Sequence, residues 1–283
     1  MSFNTATLSH ALPSYFLIFD PRIGSSYQVQ NTQQHRRMAI TDKTIAFISG
    51  ANQGIGAATA IRLAKEHNFH VIIGSRNIEN GQNVATQLIS EGFSADSVQL
   101  DLESDDSIDT ATTYLTETYG HLDVLINNAA IFLEPKGLPI RQLFNDTFAT
   151  NVTGTACLTK SLLSLLRQSA QRPRVIFVSS GMGSLTLSLD TTLPWYPADY
   201  QAYDASKAAM NILAVNYSRI LADKEAHVNA VSPGLVATNM TGNTAYGDSP
   251  ENGAQRIVEL ATLTGVNSDV TGTFSDKNGP VPW

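Results

Sequence analysis

Seven short runs of the chain are apolar at most positions and rich in β-branched or aromatic residues: KTIAFIS (43–49), FHVIIGS (69–75), SVQLDL (97–102), LDVLIN (122–127), RVIFVSS (174–180), HVNAVS (227–232) and TGTFS (271–275). Runs of this length predict strands, and strands this apolar are buried on both faces. Between most of them the apolar positions recur at helical spacing. Ile61 and Leu63 mark the first interval, and Leu143, Phe144, Phe148, Val152, Leu158, Leu162 and Leu166 mark the longest. The pattern predicts an α/β fold, a doubly wound parallel sheet of about seven strands with helices on both faces, in a single domain. No internal repeat is evident.

Residues 1–40 break the pattern: they are rich in Ser, Thr, Asn and Gln, lack periodicity and close on QNTQQHRRMAI. They read as a poorly ordered or loosely docked extension to a domain spanning 41–283. Two other readings stay open. Met38 is an alternative start just ahead of the first strand, and a weak organellar presequence is the third, opposed by Asp20 and by the lack of an Arg-rich amphipathic helix. Loss of folding on deleting the first 37 residues would contradict both the extension and the Met38 start.

Composition narrows the function. With 18 basic against 25 acidic residues the formal charge is -7, which argues against a nucleic-acid surface. No uncharged apolar run reaches the ~18 residues of a membrane span. YFLIF is short and runs at once into Asp20 and Pro21, so no secretory signal is expected, and the expected location is cytoplasmic. The lone Cys157 cannot form an intramolecular disulfide and reads as helix packing. The six histidines show no paired ligand spacing, so no metal is expected.

Directly after the first strand comes SGANQGIGAATAIRLA, with Gly50, Gly54 and Gly56. Glycines at a strand-to-helix turn let backbone N–H groups approach a pyrophosphate at the helix N-terminus. The spacing differs from the usual G-x-G-x-x-G, and a tight turn without a ligand is the competing reading. The next strand ends HVIIGSRN, with Ser75 and Arg76 where an acidic residue would bind the ribose hydroxyls of NAD. A guanidinium with no carboxylate beside it suits a 2′-phosphate, so NADP(H) is the expected cofactor. A solvated arginine at a strand end is the alternative.

These residues, with Asp101 in LDL, NNAA (127–130), Asn151 in TNVTG, VSS (178–180), YDASK (203–207) and SPGLVATNM (232–240), occur in the order of a known family. The chain resembles the short-chain dehydrogenases/reductases, most nearly their carbonyl-reductase-like members, over residues 43–283. The resemblance implies a Rossmann fold and an NADP(H)-dependent oxidoreductase acting on a carbonyl or secondary alcohol. It implies that Asn151, Ser180, Tyr203 and Lys207 are catalytic. It implies cofactor contacts from Gly50, Asn52, Gln53, Gly54, Ile55 and Gly56, from Ser75 and Arg76, and from Asp101 and Leu102 near the adenine. Asn127 and Ala129 on the fourth strand, Pro233, Gly234, Val236 and Thr238 near the nicotinamide, and Tyr203 and Lys207 complete the set. Two departures are visible: Ala130 replaces the usual final glycine of NNAG, and the 22 residues between Ser180 and Tyr203 exceed what is common in the family.

The residue chemistry agrees with that assignment. Carbonyl reduction needs a hydride donor and an acid for the oxygen. A free tyrosine titrates near ~10, and a lysine ammonium beside it favours the phenolate. Positions i and i+4 share a helix face, so Tyr203 and Lys207 can act together while Tyr200 points elsewhere. Ser180 ends its strand at the ligand-binding edge; Ser179 competes, but the two alternate in direction and family register favours Ser180. Asn151 sits inside a helical pattern, where asparagine is unfavourable, and by resemblance holds a water that relays protons to Lys207. The long loop before Tyr203 offers Leu185, Leu187, Leu189, Trp195 and Tyr196 and no Lys or Arg, which suits an apolar or aromatic carbonyl compound. TGNTAYGDSPENGAQ has the composition of a lid.

Two other functions remain open: a non-catalytic NADP(H)-binding regulatory protein of the same fold, and an isomerase or dehydratase using the same Tyr/Lys pair. A homodimer through two long helices, about 139–168 and 203–222, is expected, although the enlarged loop can block that surface.

Overall fold

The computed structural model describes residues 42–264 and 270–283, so the extension expected over 1–40 lies outside the described residues. One sheet organises the described chain. Its strands are β1 (Ile45–Ser49), β2 (His70–Ser75), β3 (Ala95–Gln99), β4 (Val124–Asn127), β5 (Arg174–Val178), β6 (His227–Val231), β7 (Phe274–Asp276) and β8 (Gly279–Pro280). The order is β3-β2-β1-β4-β5-β6-β7-β8, parallel throughout except for the last pair. The eighth strand exceeds the expected seven. It is a two-residue return after a tight turn, in which Asp276 Oδ1 accepts the N–H groups of Asn278 at 2.7 Å and Gly279 at 3.1 Å, and is too short to carry a periodicity signal.

Both faces of the sheet are covered, as the apolar strands require. On β1, Ile45 and Phe47 join the core on one side, while Ala46 and Ile48 join the core on the other. The first side is closed by α3 (Asp105–Thr118), α5 (Thr155–Ser161), α6 (Leu163–Arg167) and α7 (Gln201–Ile220); the second by α1 (Gly54–His67), α2 (Ile78–Ser90) and α8 (Pro250–Ala261). Cys157 packs against the first core as a partly buried thiol.

The single helix expected over about 139–168 is instead interrupted. It comprises α4 (Ile140–Phe148), a π-helical segment (Ala149–Gly154), α5 and α6, with a further break at Leu162. The backbone at Gly154 presses on β3's exit: a Cβ there would collide with the Leu102 carbonyl oxygen. A local widening of the helix beside that contact carries Asn151 with it.

The chain leaves β1 towards β2 and β3, then crosses to β4, so the strand order reverses between β1 and β4. A crevice opens at the carboxyl ends of strands at such a switch point. All the expected site residues lie at or near that edge.

Candidate active site

Gly50 and Gly54 sit at φ 66° and 55°, a left-handed conformation that glycine adopts without strain. A Cβ on Gly50 would lie 2.9 Å from the Ala129 Cα, and one on Gly56 would lie 2.5 Å from Asn128 Nδ2 and 2.6 Å from the Gly50 carbonyl oxygen. The turn is held from β4: the Asn128 amide donates to the carbonyls of Ser49 (2.9 Å) and Gly50 (3.1 Å), and Ser49 Oγ accepts from the backbone of Asn128 (3.0 Å) and Ala129 (3.1 Å). At the start of α1, Gln53 makes no side-chain capping bond and the first turn carries no acidic residue. This glycine cradle with free amide donors fits a dinucleotide pyrophosphate.

A cavity of about 390 Å³ runs from this turn along the sheet edge. Asn52, Gln53, Gly54, Ile55 and Gly56 line it with Gly50 at one end, and Arg76, Asp101 and Leu102 line it on the β2–β3 side. Arg76 is exposed and its guanidinium makes no ion pair among the described residues. Ser75 does not reach the cavity. It is buried, and its hydroxyl donates to the Asn77 carbonyl at 2.7 Å.

Asn127 is likewise turned away, fully buried and donating to Thr159 Oγ1 at 3.0 Å, whereas Asn128 and Ala129 line the cavity. The asparagine of the pair that faces the cavity and holds the glycine turn is the second one, which sequence reasoning passed over. Strand alternation is the signal that could have found it.

Pro233 and Thr238 also line the cavity, with the Thr238 methyl against the glycine turn, 3.2 Å from a Cβ built on Gly54. Gly234 (φ 78°) and buried Val236 shape the turn rather than line it. Val236 bridges to Asp248, which ties the lid-like segment down, and Asn239 Nδ2 donates to Gln53 Oε1 at 2.8 Å across the cavity mouth.

Tyr203 and Lys207, one turn apart on α7, both line the cavity. The Lys207 Nζ stands 5.4 Å from the Tyr203 ring centroid and donates to the Val178 carbonyl at 2.9 Å. Burial pushes Lys207 down to about 7. The expected lowering of Tyr203 does not occur. Burial first, then the charges of Asp204 and Glu134, push its phenol well above the ordinary tyrosine range. Lost hydration and the two carboxylates both favour the neutral phenol.

Ser179 and Ser180 diverge as alternation requires. Ser179 is buried, lines the cavity and donates its hydroxyl to the Lys207 carbonyl at 3.2 Å, while partly exposed Ser180 is not part of the cavity lining and its hydroxyl accepts a local bond from the Met182 N–H at 3.2 Å. Asn151, fully buried in the π-helical segment, accepts from the Ile131 N–H (2.8 Å) and donates to the Ile131 carbonyl (3.0 Å) and to Ser206 Oγ (3.1 Å). None of these bonds reaches Lys207. The side chain instead ties the loop after β4 to α7 next to Lys207.

Phe132 packs edge-on against Tyr200 (5.0 Å) and Tyr203 (5.1 Å). Tyr200 is thus a packing residue at the start of α7, and Trp195 lies against Gly181. The loop between Ser180 and Tyr203 is braced from the other end of the chain, through Ser184 Oγ to the Pro282 carbonyl (2.7 Å) and Thr186 N–H to the Trp283 carbonyl (3.0 Å). Leu185 (73% exposed) and Leu189 (81%) project from it. Among the described residues no group of His, Cys, Asp and Glu could hold a metal ion, and no helix is long and apolar enough to cross a membrane.

A doubly wound sheet with a glycine cradle and a Tyr/Lys pair at its switch point defines a dinucleotide-binding oxidoreductase class. Residues 44–248 match the family model for short chain dehydrogenases. The short-chain dehydrogenase anuI of Penicillium roqueforti is 33% identical over 231 residues, covering 80% of this chain and 91% of that one. Carbonyl reductase [NADPH] 1 of Mus musculus is 30% identical over 280 residues, covering 86% and 99%. Among solved structures, the RhlG/NADP active-site complex of Pseudomonas aeruginosa superposes with a TM-score of 0.69 at 25% identity, covering 83% of this chain and 94% of that chain. The chain belongs to the short-chain dehydrogenase family.

Proposed function

We propose that the chain uses NADPH to reduce the carbonyl of an apolar or aromatic aldehyde, ketone or quinone, and runs the reverse oxidation, with Tyr203 as general acid and base. As a short-chain dehydrogenase it is an NADP(H)-dependent oxidoreductase. The observation that carries the reading is that Tyr203 and Lys207 face the same cavity as the glycine cradle and Arg76. The cradle amides would hold the pyrophosphate of NADPH and Arg76 its 2′-phosphate, and the cofactor so held would supply the hydride for the carbonyl carbon. Tyr203 gives its proton to the carbonyl oxygen, and the Ser180 hydroxyl hydrogen-bonds that oxygen as charge builds on it. Lys207, fixed by the Val178 carbonyl, orients the phenol and returns the proton from solvent. Asn151 keeps the β4 loop and α7 in register.

Leu185, Leu189 and half-exposed Tyr196 project from the loop that leads into α7 without lining the cavity, and their exposed apolar surface supports an apolar substrate. NADPH consumption across aldehydes, ketones and quinones tests the reading. Turnover on at least one aromatic member is the expected result. Tight NADPH binding with no oxidation across the panel would favour the regulatory protein instead.

The wider setting follows the same reading. Residues 41–283 form the catalytic domain, with residues 1–40 as an extension to it. The unpaired, partly buried Cys157 suits a reducing compartment, and we take the cytosol as the working location. A secretory or organellar location of the full chain would refute that. Ile212 (54% exposed) and Ile220 (44%) on α7 support a homodimer, which a monomeric mass in solution would contradict.

A further inference from the structure

The loop after β4 does more than line the cavity. Glu134 Oε1 accepts the Tyr203 backbone N–H at 2.6 Å, across 69 residues of sequence. That N–H belongs to the first turn of α7, where no side chain of the helix's own start caps a free donor. The same loop holds Phe132 edge-on to the Tyr203 ring, and Asn151 grips Ile131 by both backbone groups. The other Glu134 oxygen, Oε2, and Asp204 Oδ1 are buried without hydrogen-bond partners among the described residues.

We propose that Glu134 is a positioning residue for the reaction: its carboxylate anchors the first turn of the Tyr203 helix, and its charge favours the proton-bearing phenol, which suits carbonyl reduction over alcohol oxidation. The proposal rests on Tyr203 being the acid.

Four groups bear on the phenol's charge. Asp204 and Glu134 act directly against ionisation, and Lys207 stands over the ring. Asp199 acts at one remove, through Asp204. Asp204 is itself pushed up to about 6 by burial, then by Glu134 and Asp199, so above that pH it is ionised with or without Glu134. Lys207 responds to burial alone, so its titration is common to wild type and variants.

Glu134→Gln keeps an acceptor for the Tyr203 N–H but removes the charge; Glu134→Ala removes both. The sign follows directly. Taking away a negative charge makes the phenolate easier to form. The falling limb of carbonyl reduction and the rising limb of alcohol oxidation should therefore both move to lower pH in Glu134→Gln. A move of about half a pH unit, or about threefold more oxidation on the rising limb, is expected. Glu134→Ala should in addition lose about tenfold in kcat through the lost cap.

The experiment measures pH profiles of both directions for wild type, Glu134→Gln, Glu134→Ala and Tyr203→Phe, using the best carbonyl of the panel and the alcohol it yields. NADPH affinity and thermal unfolding are followed in parallel. A Glu134→Gln profile that superimposes on wild type overturns the proposal, and so does full kcat in Glu134→Ala. A fall in kcat in Glu134→Ala without a pH shift in Glu134→Gln marks a merely structural role and likewise overturns it. An active Tyr203→Phe sinks the acid assignment itself, and the Glu134 proposal with it, whereas an inactive Tyr203→Phe beside an unmoved Glu134→Gln sinks the Glu134 proposal alone.

Discussion

Tyr203→Phe is expected to lower kcat for carbonyl reduction by roughly 10²–10⁴, the range a positioned general acid supplies, while NADPH still binds. The substitution is unusually clean here. Phenylalanine keeps the ring that packs edge-on against Phe132 at 5.1 Å and the backbone N–H that Glu134 accepts at 2.6 Å. Lys207 also keeps its bond to the Val178 carbonyl, so the fold and the cofactor wall should be preserved. What disappears is the only phenol on the cavity wall among the described residues. Steady-state kinetics alongside a fluorescence titration of NADPH separates the two effects. Near-wild-type turnover would remove Tyr203 from the chemistry.

Arg76→Ala should cut the preference for NADPH over NADH about tenfold. The guanidinium is exposed at the cavity wall and makes no ion pair among the described residues, so a bound 2′-phosphate would be its partner. A hydrogen bond to a charged group contributes about 1.5–3 kcal/mol, which is roughly tenfold to a hundredfold in affinity. Exposure to solvent and salt favours the lower end. The KM for NADPH should therefore rise about tenfold, with that for NADH nearly unchanged, and the wild-type preference for NADPH should shrink as ionic strength is raised. An NADH preference in the wild-type enzyme would overturn the assignment.

The fold was largely legible because strand burial and helical spacing leave strong local signals. Ile45 to Ile48 alternate between the two cores as their sequence predicts. The Tyr203–Lys207 pair was legible for the same reason, since i and i+4 on one helix need no tertiary knowledge. Misses came where a distant contact decides.

The break in the helix around Asn151 leaves the apolar spacing almost intact, because its physical neighbour, the Leu102 carbonyl, lies outside the window that periodicity examines. Asn127 and Asn128 have the same chemistry, and only their alternation on leaving β4 tells which one supports the glycine turn. Ser75 looked available but folds back on Asn77. The field at Tyr203 was misjudged because Lys207 is visible four residues away, whereas burial and Glu134 are not visible in sequence at all.

The most direct test of the central claim follows the hydride itself. The enzyme is run with NADPH deuterated at its transferable position and an aromatic ketone or aldehyde from the panel, and the product alcohol is analysed by mass spectrometry. Deuterium on the carbinol carbon with wild type, and no labelled alcohol with Tyr203→Phe, is the predicted result. Product formed without the label, or labelled alcohol formed equally well by Tyr203→Phe, would contradict it.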